Sequence, residues 1–275
     1  MSTVLVTGGT GGLGSYLVPV LRRRGHTVRV LSRSPHGSSD DDISYRQGDV
    51  RTGQGLEPAA DGVDAVIHAA TSVQRRAKAT EVDGTRNMLA ASRASGAHFV
   101  YVSIVGVDQH RFPYYKAKWA AEQVVQGEGA QRWTIQRATQ FHDLLVLFLG
   151  LPVFPRTKHM AFQPVDAGEV SERLVDLVEA GPSGRAPDLG GPAVIPVPDL
   201  AATYRRLTGK RPRLVPAPAI GFLGDFDRGR HLCPDHAEGT ITWEQFLQRQ
   251  ADAPASEPEP RPSGRERSDL GRREQ

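Results

Sequence analysis

Short apolar runs alternate with stretches of helical period through the first half of the chain. Thr3–Thr7, Thr27–Leu31, Val63–His68, His98–Ser103 and Trp133–Arg137 are short and largely apolar, bounded by Gly or polar residues. That is the pattern of strands buried on both faces. Ile43–Gln47 is a weaker strand between the second and the fourth. Leu13–Arg24, Ala77–Ser95, Tyr114–Gln126 and Phe141–Leu149 carry helical period and length between them. Repeated strand–helix alternation predicts an α/β fold, a doubly wound parallel sheet covered by helices on both faces.

Beyond Gly150 the pattern loosens. Ala167–Ala180 is amphipathic, with Asp166 placed to cap it, and Leu200–Thr208 and Thr242–Gln250 read as further helices separated by Pro-rich connections. Residues 1–250 read as one folded domain, with 151–250 a small C-terminal lobe on the substrate side of the sheet edge. From Ala251 to Gln275 apolar residues nearly vanish, which predicts a disordered tail.

Composition narrows the class. Of 275 residues 39% are hydrophobic and 24% charged, enough for a sizeable core. No apolar run approaches the roughly 20 residues of a membrane span; the longest, Leu144 to Leu151, breaks at Gly150. The N-terminal segment shows no secretory signal pattern. The single cysteine, Cys233, excludes an internal disulfide framework and fits a reducing compartment. The expectation is a soluble cytoplasmic protein. The net charge of +3 is small, and the densest basic cluster, Arg22-Arg23-Arg24, falls where the first helix should end and complements its dipole. Nucleic acid is not an expected partner. The mixed His231–His236 segment lies in a Pro-containing loop unsuited to hold a metal, and Asp40-Asp41-Asp42 reads as a solvated loop. The oligomeric state stays open.

The first strand runs directly into Thr7-Gly8-Gly9-Thr10-Gly11-Gly12-Leu13-Gly14 and then a helix. Gly8 permits the tight turn, Gly11 lets a pyrophosphate approach the backbone, and Gly14 allows close helix–strand packing. The helix start offers free N–H groups and a positive dipole end to phosphate. In this strand–turn–helix context the motif points to a dinucleotide and the sheet to a Rossmann-type fold. At the end of the second strand stand Ser32 and Arg33 in place of an acid. A guanidinium suits a 2′-phosphate, so the expected cofactor is NADP(H) in preference to NAD(H). Asp49, in Gly48-Asp49-Val50 after the third strand, is placed to accept from an adenine amine, and a solvated turn is the competing reading.

Residues 1–250 resemble the short-chain dehydrogenase/reductase superfamily, specifically its atypical NmrA-like branch. The resemblance lies in TGGTGGLG, VRVLSR, GDV, DAVIHAAT, VDGTRNML, YVSIVGVD, PYYKAK, WTIQRATQF and FQPVDAGEV. It implies that Thr7, Gly8, Thr10, Gly11, Gly12, Leu13, Gly14, Ser32, Arg33, Asp49, Val50, Ala69, Ala70 and Thr71 border the cofactor. The catalytic Tyr-x-x-x-Lys looks like Tyr114 and Lys118, one helical turn apart on one face. An ammonium beside a phenol favours phenolate and would lower the tyrosine pKa; Lys118 would also hold the nicotinamide ribose. Two departures stand out. Ser103 is the available hydroxyl at the end of the fifth strand, and Ile104 occupies the position where relatives often carry it. Glu81 stands where many extended members carry Asn before Val-x-Gly-Thr.

Thr139, Gln140 and Phe141 leave the sixth strand at the carboxyl edge of the sheet, where ligands of open α/β sheets bind, and are the expected substrate neighbours. His142 and Asp143 follow as an acid/base pair or, more cheaply, as capping and first-turn residues. The apolar Leu144–Leu149 stretch is a core helix or a pocket wall; the latter would suit an apolar or aromatic small molecule. The resemblance implies an NAD(P)H-dependent oxidoreductase acting on a carbonyl or quinone. Two other readings stay open: a non-catalytic NAD(P)-binding sensor that regulates a partner protein, and an epimerase or dehydratase using tightly held NAD.

Overall fold

The computed structural model describes residues 1–34, 43–72, 78–128 and 132–252. The Asp40-Asp41-Asp42 loop, Ala77 at the head of one expected helix, and the expected tail beyond Asp252 lie outside them. In chain order the elements are β1 (Thr3–Thr7), α1 (Gly12–Arg23), β2 (Thr27–Ser32), β3 (Ile43–Gln47), α2 (Leu56–Ala60) and β4 (Ala65–His68). A π-helical turn (Ala79–Asp83), α3 (Gly84–Ser92), β5 (His98–Ile104), α4 (Pro113–Glu128), β6 (Trp133–Ala138) and α5 (His142–Leu149) follow. The remainder comprises β7 (Phe154–Arg156), β8 (Ala161–Phe162), α6 (Ala167–Ala180), β9 (Gly184–Arg185), β10 (Ile195–Pro196), α7 (Val197–Thr208), β11 (Leu214–Pro216), α8 (Gly221–Asp227) and α9 (Trp243–Asp252).

Among the described residues seven strands form one parallel sheet in the order β3-β2-β1-β4-β5-β6-β9. The chain leaves β1 toward β2 and β3, then returns to β4 on its other side. That reversal opens a crevice beyond the carboxyl ends of β1 and β4, the ligand position of such sheets. Each inner strand is buried on both faces. Val4 and Val6 of β1 join α1 and α6 in one core, while Leu5 joins Met88, Tyr101, Ala121 and Val125 in the other. This is the two-residue alternation of a strand serving two layers.

Within the segment read as a lobe, α6 packs on α1 and β9 extends the sheet. The rest gathers around a separate cluster of Leu145, Leu149, Phe162, Leu200, Tyr204, Trp243 and Phe246. Asp166 caps α6, accepting from the amides of Gly168 and Glu169. The segment is fastened to the loop after β5. Asp225 is fully buried and takes Arg111, Arg228 and Arg230, whose hydrogen bonds hold its carboxyl well below the usual range. Gly106 lies so close to the Arg230 carbonyl that a Cβ would fall 1.8 Å from it.

Candidate functional site

At the end of β1 the chain turns through Gly8, whose φ of +73° glycine adopts without strain. A Cβ on Gly8 would lie 2.8 Å from the backbone of Ala69 and Ala70, and one on Gly14 would lie 2.4 Å from Gly8 O. The turn is closed by Gly11 N donating to Gly8 O at 2.9 Å. Gly12 has open space where a Cβ would stand, and Thr10, Gly11 and Gly12 are exposed while Leu13 leans on the core. Unlike α6, helix α1 starts with no side-chain cap and no acidic residue in its first turn. Its amide donors and dipole end are therefore directed at the crevice, a cradle that fits a nucleotide phosphate.

Buried Thr7 ties this turn to β4. Its hydroxyl lies 2.8 Å from His68 Nδ1 and accepts from Ala70 N at 3.2 Å. On the other flank Ser32 is buried, Arg33 is exposed, and Arg33 O accepts from Gln47 Nε2 at 3.3 Å. Asp49 is gripped by Arg51 through Nη2 at 2.6 Å and Nε at 3.2 Å, and those hydrogen bonds hold its carboxyl below the ordinary value. Buried Val50 offers its carbonyl to Asn87 at 2.8 Å.

One residue past Ala70 the nucleotide turn meets helix α4. Thr71 Oγ1 lies 2.6 Å from Tyr114 Oη and donates to Glu81 Oε1 at 2.6 Å. Glu81, fully buried, also accepts from Ser72 N and Tyr101 Oη, each at 3.2 Å. Its other partner is Lys118, whose Nζ stands 2.9 Å from Glu81 Oε2, donates to Val102 O at 3.0 Å and lies 4.8 Å from the Tyr101 ring centre. Burial pushes the Glu81 carboxyl up, but Lys118 and the Thr71 hydroxyl outweigh it and leave the acid below its ordinary value. Lys118 is raised, because Glu81 more than offsets its burial.

The phenol behaves differently from the sequence expectation. Tyr114 is raised: burial and Glu81 together outweigh the lowering by Lys118 and by the Thr71 hydrogen bond. The expected ammonium beside the phenol is present, but its charge is answered by a carboxylate.

A model described as NAD(P)H-binding matches residues 8–144. The ceramide reductase of Caulobacter vibrioides is 33% identical over 245 residues, covering 80% of this chain and 75% of that protein. The chain belongs to the NAD(P)H-binding short-chain dehydrogenase/reductase superfamily. Its fold matches an NADPH-dependent quinone oxidoreductase of Escherichia coli solved with NADPH, at a TM-score of 0.74, 18% identity and coverage of 90% and 99% of the two chains. It also matches the Thermus thermophilus UDP-glucose 4-epimerase solved with NAD, at 0.72, 20% identity and coverage of 91% and 98%. The chain spans between 32% and 62% of the length of other curated relatives, 3β-hydroxysteroid dehydrogenases and divinyl chlorophyllide a 8-vinyl-reductases among them. Among the described residues no helix is long and apolar enough to cross a membrane.

Set in the superfamily's frame, Ser103 joins a different set of partners from Tyr114 and Lys118. Its hydroxyl donates to Glu122 Oε1 at 2.5 Å. Glu122 is clamped by Arg137 through Nε at 2.8 Å and Nη2 at 2.6 Å, and Arg137 Nη1 reaches Asp108 at 2.7 Å. Thr139 and Gln140 are buried and Phe141 is half-buried. Thr139 Oγ1 accepts from Gly191 N at 3.3 Å, and Gln140 Nε2 donates to Tyr115 Oη at 3.3 Å. His142 and Asp143 occupy the first turn of α5, but neither caps it; the N-cap is Phe141 with no side-chain bond. His142 stacks on Phe246 at 4.7 Å and Trp243 at 5.8 Å, and burial lowers it to about 4. It does not pair with Asp143, which faces Tyr16 at 3.4 Å. His231 Nε2 donates to Ala161 O at 2.9 Å, and Cys233 is buried.

Sequence reasoning missed the partners more than the residues. Tyr101, Asp108, Glu122 and Arg137 were not singled out for the site. The pointer to them comes only with the structure: Glu81, Thr85, Met88 and Ser92 share one helical face that is buried throughout, and an acid on such a face demands a buried partner.

Proposed function

We propose that the protein is an NAD(P)H-dependent oxidoreductase that reduces a carbonyl or quinone-type small molecule. The observation that carries this reading is the tether between the two halves of the site. Ala69 and Ala70 pack on Gly8, and the next residue, Thr71, hydrogen-bonds Tyr114 at 2.6 Å. The phenol is thus held one residue from the nucleotide turn, at the carboxyl edge of the sheet. The cofactor, when bound, supplies or accepts the hydride.

The Gly8–Gly14 turn and the start of α1 would take the pyrophosphate. Arg33, exposed at the end of β2, would pair with a 2′-phosphate, which favours NADP(H) over NAD(H). Tyr114 gives a proton to the substrate oxygen. Thr139, Gln140 and Phe141 border the substrate, and the neighbouring Phe112, Tyr115 and Phe226 rings, 5.9–6.2 Å apart, suit an apolar or aromatic one. The ceramide reductase and quinone oxidoreductase relatives agree with that class. Replacing Tyr114 with Phe should leave NADPH affinity within about twofold and lower turnover of a ketone or quinone found by NADPH-oxidation screening by roughly 100-fold. Unchanged turnover would remove Tyr114 from the chemistry.

A second reading, a nucleotide sensor without turnover, is favoured by one feature. Lys118 and Ser103, two of the three groups the superfamily uses in catalysis, are engaged by Glu81 and Glu122. Under that reading NADPH binds while no substrate from the screen is reduced.

A further inference from the structure

The lysine beside the candidate phenol is not a lone cation. Lys118 is 3% exposed, and Glu81 Oε2 stands 2.9 Å from its ammonium. The other carboxylate oxygen, Oε1, takes the Thr71 hydroxyl proton at 2.6 Å. A hydroxyl has one proton to give. With that proton committed to Glu81, the 2.6 Å contact between Thr71 and Tyr114 is made by the Tyr114 O–H donating to the threonine oxygen. A phenolate there would face the lone pairs of Thr71 with a buried carboxylate behind it.

The backbone builds this arrangement. Glu81 projects from the π-helical turn Ala79–Asp83, a local widening of the helix that re-aims side chains and recurs at functional sites. The groups around the phenol come from four elements: Lys118 and Tyr115 on α4, Thr71 after β4, Glu81 on the π turn, and Tyr101 on β5 behind Glu81. Neutral His68 on β4 stacks on Tyr101 at 5.9 Å. Among these, the Lys118 and Glu81 charges cancel as a pair.

We propose that Glu81 and Thr71 are positioning residues that keep Tyr114 protonated, so that the site hands a proton to a newly formed alkoxide and works in the reductive direction. In that step the Tyr114 O–H bond breaks and the proton joins the oxygen of the carbonyl, whose carbon takes the hydride of NAD(P)H. The phenolate left behind regains a proton from solvent, since Tyr114 is half-exposed. This inference rests on the reading of Tyr114 as the proton donor, and its test needs no substrate.

The test is a tyrosinate absorbance titration of the cofactor-free protein, with Tyr114→Phe in each background to isolate the Tyr114 step. Glu81→Gln leaves Lys118 unopposed, and the Tyr114 midpoint should fall by about one pH unit or more. The double variant Glu81→Gln with Lys118→Met removes both charges, and its Tyr114 midpoint should stay within about half a unit of the parent. An unchanged midpoint in folded Glu81→Gln would overturn the proposal. So would a rise of more than about one unit in the double variant, which would show Lys118 acting uncancelled on the phenol. If Glu81→Gln fails to fold, the double variant, free of a lone buried charge, decides. Loss of the reductase reading is seen separately, as full turnover in Tyr114→Phe, and leaves the titration result standing.

Discussion

Helix α4 carries two buried ion pairs one turn apart, and they do different work. Glu122 is closed on every side: Arg137 grips both carboxylate oxygens, Ser103 fills one of them, and Asp108 takes the remaining arm of the guanidinium. Lys118 and Glu81 meet through a single 2.9 Å contact, and the carboxylate spends its other oxygen on a chain that ends at a half-exposed phenol. The same elementary pairing serves in one place as a clasp between α4 and β6 and in the other as the electrical setting of the proposed proton donor. Buried charge alone does not separate the two pairs; the outlet toward the crevice does.

The largest effect should come from truncating the clasp. Glu122→Ala leaves Arg137 buried with Asp108 alone, and should cost on the order of 3 kcal/mol or more, roughly 6–12 °C in Tm. Replacing the pair together, Glu122→Leu with Arg137→Met, should restore most of it. A Tm within a degree of the parent for Glu122→Ala would show that the pair is not a clasp.

Acid should also act strongly, and mostly away from the phenol. Burial holds His68, His98, His110, His142 and His231 near 4, against an ordinary 6.5. The folded protein keeps these rings neutral while the unfolded chain protonates them. Their contribution is complete above about pH 6.5 and is lost as pH falls from there toward 4. Tm should drop progressively from about pH 7 to about pH 5, and His142→Phe, at a ring already stacked on Phe246, should flatten that slope. A Tm independent of pH over this range would mean that the rings are solvated.

The smallest effect should come from Ser103→Ala: about 1 kcal/mol of stability and turnover within roughly twofold of the parent. A collapse of turnover with fold intact would move Ser103 from the clasp into the chemistry.

Much of this was legible in the chain. The six longer strands, the helix Ala167–Ala180 with its Asp166 cap, and the strand–turn–helix of Gly8–Gly14 follow from period and turn chemistry, and the structure has them within a few residues. The seventh strand, Gly184–Arg185, and the paired β7–β11 and β8–β10 ribbons are two or three residues long, too short for any periodic pattern. Helix α8 is also short, and its Gly221 and Gly224 dilute the helical signal. The helix expected from Ala77 to Ser95 carries a π turn at Ala79–Asp83, the segment that places Glu81 against Lys118. Tyr114 and Lys118 could be read from their spacing. Their partners could not, because Thr71, Glu81 and Tyr101 are joined to them only by the order of strands in the sheet.

The measurement that tests the central claim most directly is calorimetric titration of the protein with NADPH, NADP⁺, NADH and NAD⁺ in one buffer, repeated on Arg33→Ala. NADPH should bind clearly more tightly than NADH, and Arg33→Ala should weaken NADPH by about tenfold or more while leaving NADH nearly unchanged. Equal losses for both would contradict the role given to Arg33, and no binding of any of the four would contradict the account of the glycine turn itself.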